Sequence, residues 1–313
     1  MHPVQDYGER GAFFYIADSR SHEDAFRARA GGIVAAQSDR KLKNIVVAVK
    51  QVPDTNQVKI NPEDGTLVRE GVPFIVNPFD THAMEAGLQL KDRFGGRVIA
   101  LSMGPPNTVA TLRKCLALGA DHAVLVSDRF FGGADTLATS YVLAEAIKKI
   151  EREDGRIDVI VCGKQTIDGD TAQVGPGLAT RLGFAQLTLV DQIVDFSPDT
   201  RAITVRRKLE GRKEIVQSTL PVVLTVVREG NRPRYPTVPS RIGAQEREVL
   251  VWNNAVLNLP PELIGLRGSP TNVKRIFAPE RKPGEIVGDG EKDPRGAAQS
   301  LIRKLVEKDL LSF

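Results

Sequence analysis

Cysteine and aromatic residues are scarce in this chain. Of 313 residues, two are cysteine (Cys115 and Cys162), one is tryptophan and four are tyrosine. Two cysteines exclude a disulfide scaffold and any cysteine-rich zinc or iron–sulfur site. They leave room for one bridge or, as a cytosolic protein would have it, a reduced thiol pair. The four histidines, His2, His22, His82 and His122, have no metal-ligand spacing, so no metal site is expected. Aromatics at 5 % provide few rings for base stacking. The 43 basic and 39 acidic residues are interspersed, and the net charge of +4 forms no basic tract. Nucleic-acid binding is therefore not expected. No apolar run approaches the ~20 residues of a membrane helix, so no direct membrane insertion is expected. Ala12–Ala17 is too short for a secretory core, and Asp6, Glu9, Asp18, Glu23 and Asp24 are foreign to a transit peptide. A cytoplasmic localisation follows as the expectation.

What is present is ordinary for a globular protein: 41 % hydrophobic and 26 % charged residues. Residues 1–42 are polar, with room for a short helix around Glu23–Ala35, and are expected to be poorly ordered. A regular pattern begins at residue 43. Ile45–Val49, Val98–Leu101, Ala123–Val126, Val159–Cys162 and Leu187–Val190 are continuous apolar runs, as buried parallel strands require. Helical segments lie between them. Asp80 is placed to cap a helix through Phe94, Thr108–Leu118 forms the next, and Asp135 is placed to cap a third. In that third helix Leu143, Ala146, Ile147 and Ile150 form one apolar stripe. Val58–Ile60 and Leu67–Arg69 flank a Pro/Gly turn and read as a small hairpin. The expected fold is α/β: an open parallel sheet of about five strands with helices on both faces. Ala202–Lys208 and Lys213–Ser218 add an antiparallel hairpin, and Val222–Val227 is one more buried strand. The expected domains are an extension at 1–42, a nucleotide-binding α/β domain at 43–228, and a proline-rich arm, linker and tail helix (Gln299–Leu311) at 229–313.

Open parallel sheets bind ligands beyond the carboxyl ends of their strands. Four unusual segments fall there: Lys50–Asp54, Ser102–Pro106, Gly132–Asp135 and Gly163–Gly175. Gly163–Gly175 joins a strand to a helix, and its glycines and helix start suit a diphosphate. A capped strand–helix turn explains the same residues equally well. Asp168 and Asp170 would repel phosphate, so they read as helix caps or as partners of ribose or adenine. Gly132–Thr136 is a second such loop: Asp135 is an N-cap on the simpler reading, while Thr136, Thr139 and Ser140 are within reach of phosphate on the other. Neither segment is a GxGxxG or Walker A motif. Lys50 is either a solvated strand-end lysine or an anion contact, and Met103 either core or cofactor contact. No catalytic side chain is evident, because no triad order or nucleophile elbow appears. The chemistry would belong to a bound cofactor.

The joint order of these motifs resembles the beta subunit of electron transfer flavoproteins over residues 43–313. The resemblance rests on Asn44–Thr55, Val76-Asn77-Pro78-Phe79-Asp80, Ser102–Pro106, Gly119-Ala120-Asp121, Gly163–Gly175 and Leu266–Val273. Phe131–Thr136 and Ile167–Pro176 are similar to the versions found in the electron-bifurcating branch. Ordinary members carry a bulkier loop after the third strand and an Asp-Asp-Asp-Cys-Asn-Gln-Thr-like run after the fourth. The resemblance implies an adenine-nucleotide alpha-hydrolase-like fold that holds FAD, or AMP in the ordinary members.

By the same resemblance, Ala48 packs on the adenine, and Asn77, Pro78, Phe79, Asp80, Met103 and Gly104 line the nucleotide pocket. Ile167, Asp168, Gly169, Asp170, Thr171, Ala172, Gln173, Val174, Gly175, Gly177 and Leu178 would wrap ribose and phosphate. Lys50, Gln51, Gly133, Asp135, Thr136 and Thr139 would reach the flavin half and the diphosphate. The arm with Tyr235, Thr237 and Val238 resembles a loop that docks an acyl-CoA dehydrogenase, although no Lys-rich stretch follows it here. The implied partners are an electron transfer flavoprotein alpha subunit, an acyl-CoA dehydrogenase or quinone-linked acceptor, and ferredoxin or flavodoxin, with NADH as electron donor. Two other functions fit parts of the pattern: an ordinary electron carrier with AMP, and a nucleotide-sensing regulatory module.

Overall fold

The apolar runs form the middle of one sheet. A computed structural model of the chain describes residues 41–54, 59–60, 67–68, 73–271 and 284–311. Strands β1 (Asn44–Ala48), β2 (Gln51–Pro53), β3 (Lys59–Ile60), β4 (Leu67–Val68) and β5 (Phe74–Val76) lead into helix α1 (Pro78–Phe94). There follow β6 (Arg97–Met103), α2 (Val109–Leu118), β7 (His122–Val126), α3 (Thr136–Asp154), β8 (Ile157–Gly163) and α4 (Val174–Leu182). Next come β9 (Ala185–Ser197), β10 (Ala202–Lys208), β11 (Lys213–Thr219), β12 (Val222–Val226), α5 (Val238–Glu246), β13 (Leu250–Trp252) and α6 (Asn254–Leu257). The main sheet has the order β11-β10-β9-β12-β8-β1-β6-β7-β13. All ladders from β9 to β13 are parallel; β10 and β11 pair antiparallel at one edge.

The α/β class and the antiparallel hairpin match the sequence reading, but the parallel part has seven strands rather than about five. The run at Val222–Val226 enters between β8 and β9, a position that sequence order does not reveal. At the far edge, β13 is a three-residue strand inside the proline-rich arm and pairs Leu250–Trp252 with Val124–Val126. Three residues are too few to show a period. Strand β9 runs for 13 residues, so one strand serves the parallel sheet at its start and the antiparallel ladder at its end.

Alternating residues divide the core into two layers. Ile45, Val47, Val98 and Ala100 pack with Met84, Leu88 and Leu112 of α1 and α2. Val46, Ile99 and Leu101 pack with Val142, Ile147 and Leu178 of α3 and α4. A Cβ on Gly87 would stand 2.6 Å from Val47 Cγ2, so this glycine lets α1 lie close to β1. Both cysteines are buried and free, and burial pushes each thiol up to about 12, which suits packing rather than chemistry.

The helix starts hold two outcomes. Asp135 caps α3 as expected, its Oδ1 accepting from the N–H groups of Leu137 (2.9 Å) and Ala138 (3.0 Å). Asp80 does not cap α1. The helix begins earlier, at Pro78, whose fixed φ suits the first helical position. Asp80 therefore lies inside the first turn. The tail helix α7 spans Pro294–Glu307, earlier than Gln299–Leu311, because Asp293 caps it through Gly296 N–H (2.9 Å). It belongs to a second compact unit, separate from the one that carries the sheet. The extension up to residue 40, including Glu23–Ala35, and the turn of the small hairpin lie outside the described residues.

At the opposite end of the sheet, Asp158 is fully buried and accepts from Arg156 Nε (2.6 Å), Arg201 Nη2 (2.5 Å) and Lys43 N–H (2.6 Å). Asp158→Ala would leave these donors facing an empty buried site. It is expected to cost about 3–5 kcal/mol, read as a fall in denaturant midpoint at unchanged m-value; a loss below 1 kcal/mol would contradict this role.

Candidate functional site

The chain moves from β1 outward to β6 and β7, then crosses back to place β8 on the other side of β1. The crevice between the carboxyl ends of β1 and β8 is thus the topological switch point. Two buried polar residues at the start of α1 join its walls. Asp80 Oδ2 accepts from Lys50 N–H (2.7 Å), and its Oδ1 accepts from Gly163 N–H (3.2 Å). Asn77 Nδ2 donates to Gln165 O (2.9 Å), and its Oδ1 accepts from Ile167 N–H (3.2 Å). Burial pushes Asp80 up to about 7, against the pull of these hydrogen bonds and of Lys50.

Above them Lys50 Nζ meets Asp168 Oδ2 at 2.7 Å, a bridge from one wall to the other. Burial tends to raise Asp168, but hydrogen bonds from Lys50 and Thr166 outweigh it and hold the carboxyl below its usual range. Gln165 Nε2 donates to Asp170 Oδ1 at 2.7 Å. Asp168 thus fastens the loop to the end of β1 and Asp170 braces it from within, and neither caps α4. The cap position is Gln173, which makes no side-chain cap bond; Pro176 has no N–H, so the N–H groups of Val174 and Gly175 are the ones left without a side-chain cap. Asp170 (φ 50°) and Ala172 (φ 55°) occupy the left-handed region just before this helix. Such strain costs about 1 kcal/mol or more per residue and is typical of functional loops.

The glycines here serve packing. A Cβ on Gly175 would stand 2.5 Å from Thr225 Cγ2, and one on Gly177 would stand 2.9 Å from Ser140 Cβ and Oγ. Gly177 lets α4 pack against α3. Arg181 fastens the same pair by donating to Ser140 Oγ (3.0 Å) and Leu137 O (2.9 Å). The starts of α3 and α4 are consequently neighbours.

Most of the residues singled out by sequence come together. Ala48, Lys50, Gln51, Asn77, Pro78, Phe79, Asp80, Met103 and Gly104 stand at the ends of β1 and β6 and the start of α1, and Ile167–Leu178 forms the facing wall. Several of them already have protein partners. Gln51 Oε1 accepts from Thr108 Oγ1 (2.9 Å), and Gly104 makes room for that hydroxyl. Asp135, beyond capping α3, accepts from Thr271 N–H (3.0 Å), and its own N–H donates to Ser269 Oγ (2.8 Å). Burial raises Asp135, but its hydrogen bonds win and lower it. Thr136 and Thr139 lie in the first turn of α3 and Gly133 in the loop before it, after β7, two strand positions from β1.

Tyr235, Thr237 and Val238 lie elsewhere, where the arm crosses α1 and α2. Arg234 anchors the arm, donating to buried Glu85 (2.8 Å) and to Asp92 (2.8 Å). Tyr235 is 92 % exposed, Val238 70 % and Ile242 62 %. Ile242 was missed by sequence; its spacing of four from Val238 was the available signal. Arg181 was also missed, because its role depends on a helix contact.

The pattern of the Electron transfer flavoprotein domain matches residues 64–257. The chain belongs to the electron transfer flavoprotein family. It is 46 % identical over 263 residues to Protein FixA of Azotobacter vinelandii, covering 83 % of this chain and 93 % of that protein. It is 47 % identical over 268 residues to the caffeyl-CoA reductase–Etf complex subunit CarD of Acetobacterium woodii (85 % and 99 %). It is 46 % identical over 266 residues to the electron transfer flavoprotein subunit beta of Clostridium acetobutylicum (85 % and 98 %). This electron transfer flavoprotein chain is thus beta-subunit-like, which sets the regulatory-module reading aside. Among its described residues no helix is long and apolar enough to cross a membrane.

The clamp at the base of the crevice has a pH signature. Asp80 is held near 7, against 3.8 for a free carboxyl. Its protonated form is the one favoured by folding. The stability linked to Asp80 is full below pH 4 and falls as pH rises through 7. Asp80→Asn cannot titrate, so it is expected to gain on the wild type by up to ~1.4 kcal/mol per pH unit across that window. Denaturant melts at pH 4, 5.5 and 7 test this; a pH-independent difference would refute the assignment.

Proposed function

We propose that this chain is the beta subunit of a heterodimer with an electron transfer flavoprotein alpha subunit, and that its crevice holds FAD. Bound there, FAD would supply hydride acceptance from NADH and release of single electrons along two routes. One route leads through the alpha subunit's FAD to an acyl-CoA dehydrogenase or quinone-linked acceptor, the other to ferredoxin or flavodoxin. The observation that carries the reading is the uncapped start of α4 at the switch point, with the start of α3 packed beside it. The N-terminus of α4 has no side-chain cap, and a helix start favours negative charge such as a diphosphate. The α3 start with Gly133, Thr136 and Thr139 extends the same rim beyond what a mononucleotide needs. The likeness to a subunit of a caffeyl-CoA reductase–Etf complex supports an acyl-CoA-linked acceptor.

In this reading the protein positions the cofactor and takes no covalent part. Asn77 and Asp80 fix the distance between the walls. Ala48 and Met103 provide apolar contact for the adenine. The N–H groups at the start of α4, with Thr171 and Gln173 beside them, receive the diphosphate. The Lys50–Asp168 bridge closes the rim and limits water entry. The exposed trio Tyr235, Val238 and Ile242 forms the docking patch for the dehydrogenase, on a root that Arg234 holds rigid.

The deciding measurement is a nucleotide count on the denatured heterodimer. Two FAD and no AMP are expected, with anaerobic bleaching of the flavin by NADH. One FAD and one AMP would make the chain an ordinary electron carrier and remove the assignment of Gly133, Thr136 and Thr139. For the patch, Val238→Asp should slow electron exchange with the dehydrogenase at least tenfold at unchanged nucleotide content. An unaffected rate would place docking elsewhere.

A further inference from the structure

A second concavity lies behind the Gly163–Gln173 wall, on the side away from the β1 end. It is a cleft of about 1,080 Å³ between the carboxyl ends of β8, β12 and β9 and the tip of the β10–β11 hairpin. That volume is at the upper end of small-molecule sites. Four cations line it: Lys164 and Arg228 on the strand-end wall, Lys208 and Arg212 on the hairpin.

The partners of these cations differ. Lys208 pairs with Glu229 (2.6 Å) and Arg212 with Glu214 (3.0 Å). Neither Lys164 nor Arg228 is in a salt bridge among the described residues, and Lys164 acts on the Glu229 carboxylate only at longer range than Lys208 does. Arg228 lies over the ring of Phe79, 4.4 Å from its centre. Of the three carboxylates in the lining, Glu229 is engaged by Lys208 and Asp170 by Gln165, leaving Glu210 at the exposed hairpin tip. Lys164 N–H donates to Val226 O (2.8 Å), which holds the ends of β8 and β12 together and so keeps Lys164 and Arg228 on adjacent strand ends. Leu189 and Val227 give the wall an apolar surface. Two cations free of salt bridges on neighbouring strand ends, one of them over an aromatic ring and both beside aliphatic side chains, are a receptor for an anion that carries a planar or apolar body.

We propose that this cleft is a second ligand site, which binds the phosphate group of a nucleotide other than the one resident in the crevice through Lys164 and Arg228. Phosphate oxygens accept charge-assisted hydrogen bonds from both side chains. The ligand's ring system lies along Leu189, Val227 and the Phe79 edge. Phe79, Gln165, Ile167 and Asp170 belong to the wall that separates the cleft from the crevice, so the two ligands would be neighbours. The source of the phosphate is either a dinucleotide or a free mononucleotide. That it is second to a nucleotide resident in the crevice, and its assignment to NADH, rest on the function proposed above; the anion site itself does not.

The test uses the heterodimer with its resident nucleotides bound. Calorimetric titration with inorganic pyrophosphate is compared for wild type, Lys164→Gln, Arg228→Gln and the double variant. Each single change is expected to weaken binding about tenfold and the double change more, from the loss of charge-assisted hydrogen bonds, while resident nucleotide content stays the same. Displacement of pyrophosphate by NADH, with KM for NADH raised in the variants and kcat nearly constant, identifies the dinucleotide as source. Displacement by AMP alone identifies a mononucleotide. Absence of pyrophosphate binding in the wild type, or equal affinity in the double variant, overturns the site. A heterodimer found to hold AMP instead of FAD would sink the proposed function, and the pyrophosphate titration would still decide the cleft.

Discussion

The carboxylate of Asp80 receives one N–H from the end of β1 and another from the end of β8. These strands belong to the two halves of the sheet that diverge at the switch point. The β1–β8 register ends at Ala48 and Cys162, and beyond it Asp80 and Asn77 link the two walls. Asp80, with Asn77 beside it, carries the ladder's function into the loops. Burial makes the link costly for an ionised carboxyl and raises it to about 7. The Lys50–Asp168 bridge, the open start of α4 and the position of the 163–173 loop all depend on the walls that this clamp sets.

Helix packing then decides which chemistry faces the crevice. Gly177 brings α4 against Ser140 of α3, and Arg181 fastens the two helices. Two helix starts therefore converge on one rim. Asp135 uses its carboxylate to cap α3 and to hold the turn that ends at Thr271. The α4 start has no such cap. Equal backbone geometry thus yields one satisfied helix start and one open one, and the open one lies where the topology places a ligand.

The β10–β11 hairpin gives the same sheet a second concave face. Strand β9 supplies it by outrunning its parallel partner, and the Lys208–Glu229 bridge ties the hairpin to the β12 end. The arm after β12 gains its hold through Arg234 on Glu85 and Asp92, so Tyr235, Val238 and Ile242 are displayed on a fixed support. Crevice, cleft and docking patch are each built from residues far apart in sequence.

The sequence by itself determined the α/β class, because continuous apolar runs of four or five residues separated by amphipathic helices fit a buried parallel sheet and little else. It also determined the cap at Asp135, the hairpin over 202–218 and the candidate loops at strand ends, since each follows from neighbours within a few residues. It placed the α1 cap wrongly at Asp80, because Pro78, suited to the first helical position, starts the helix two residues earlier; that Asp80 then joins β1 to β8 was visible only in the tertiary structure. The insertion of β12 between β8 and β9, the edge strand β13, the α3–α4 contact and the pairing of Lys164 with Arg228 were decided only by tertiary structure. These depend on contacts between residues tens of positions apart, and local propensity and periodicity carry no information at that range.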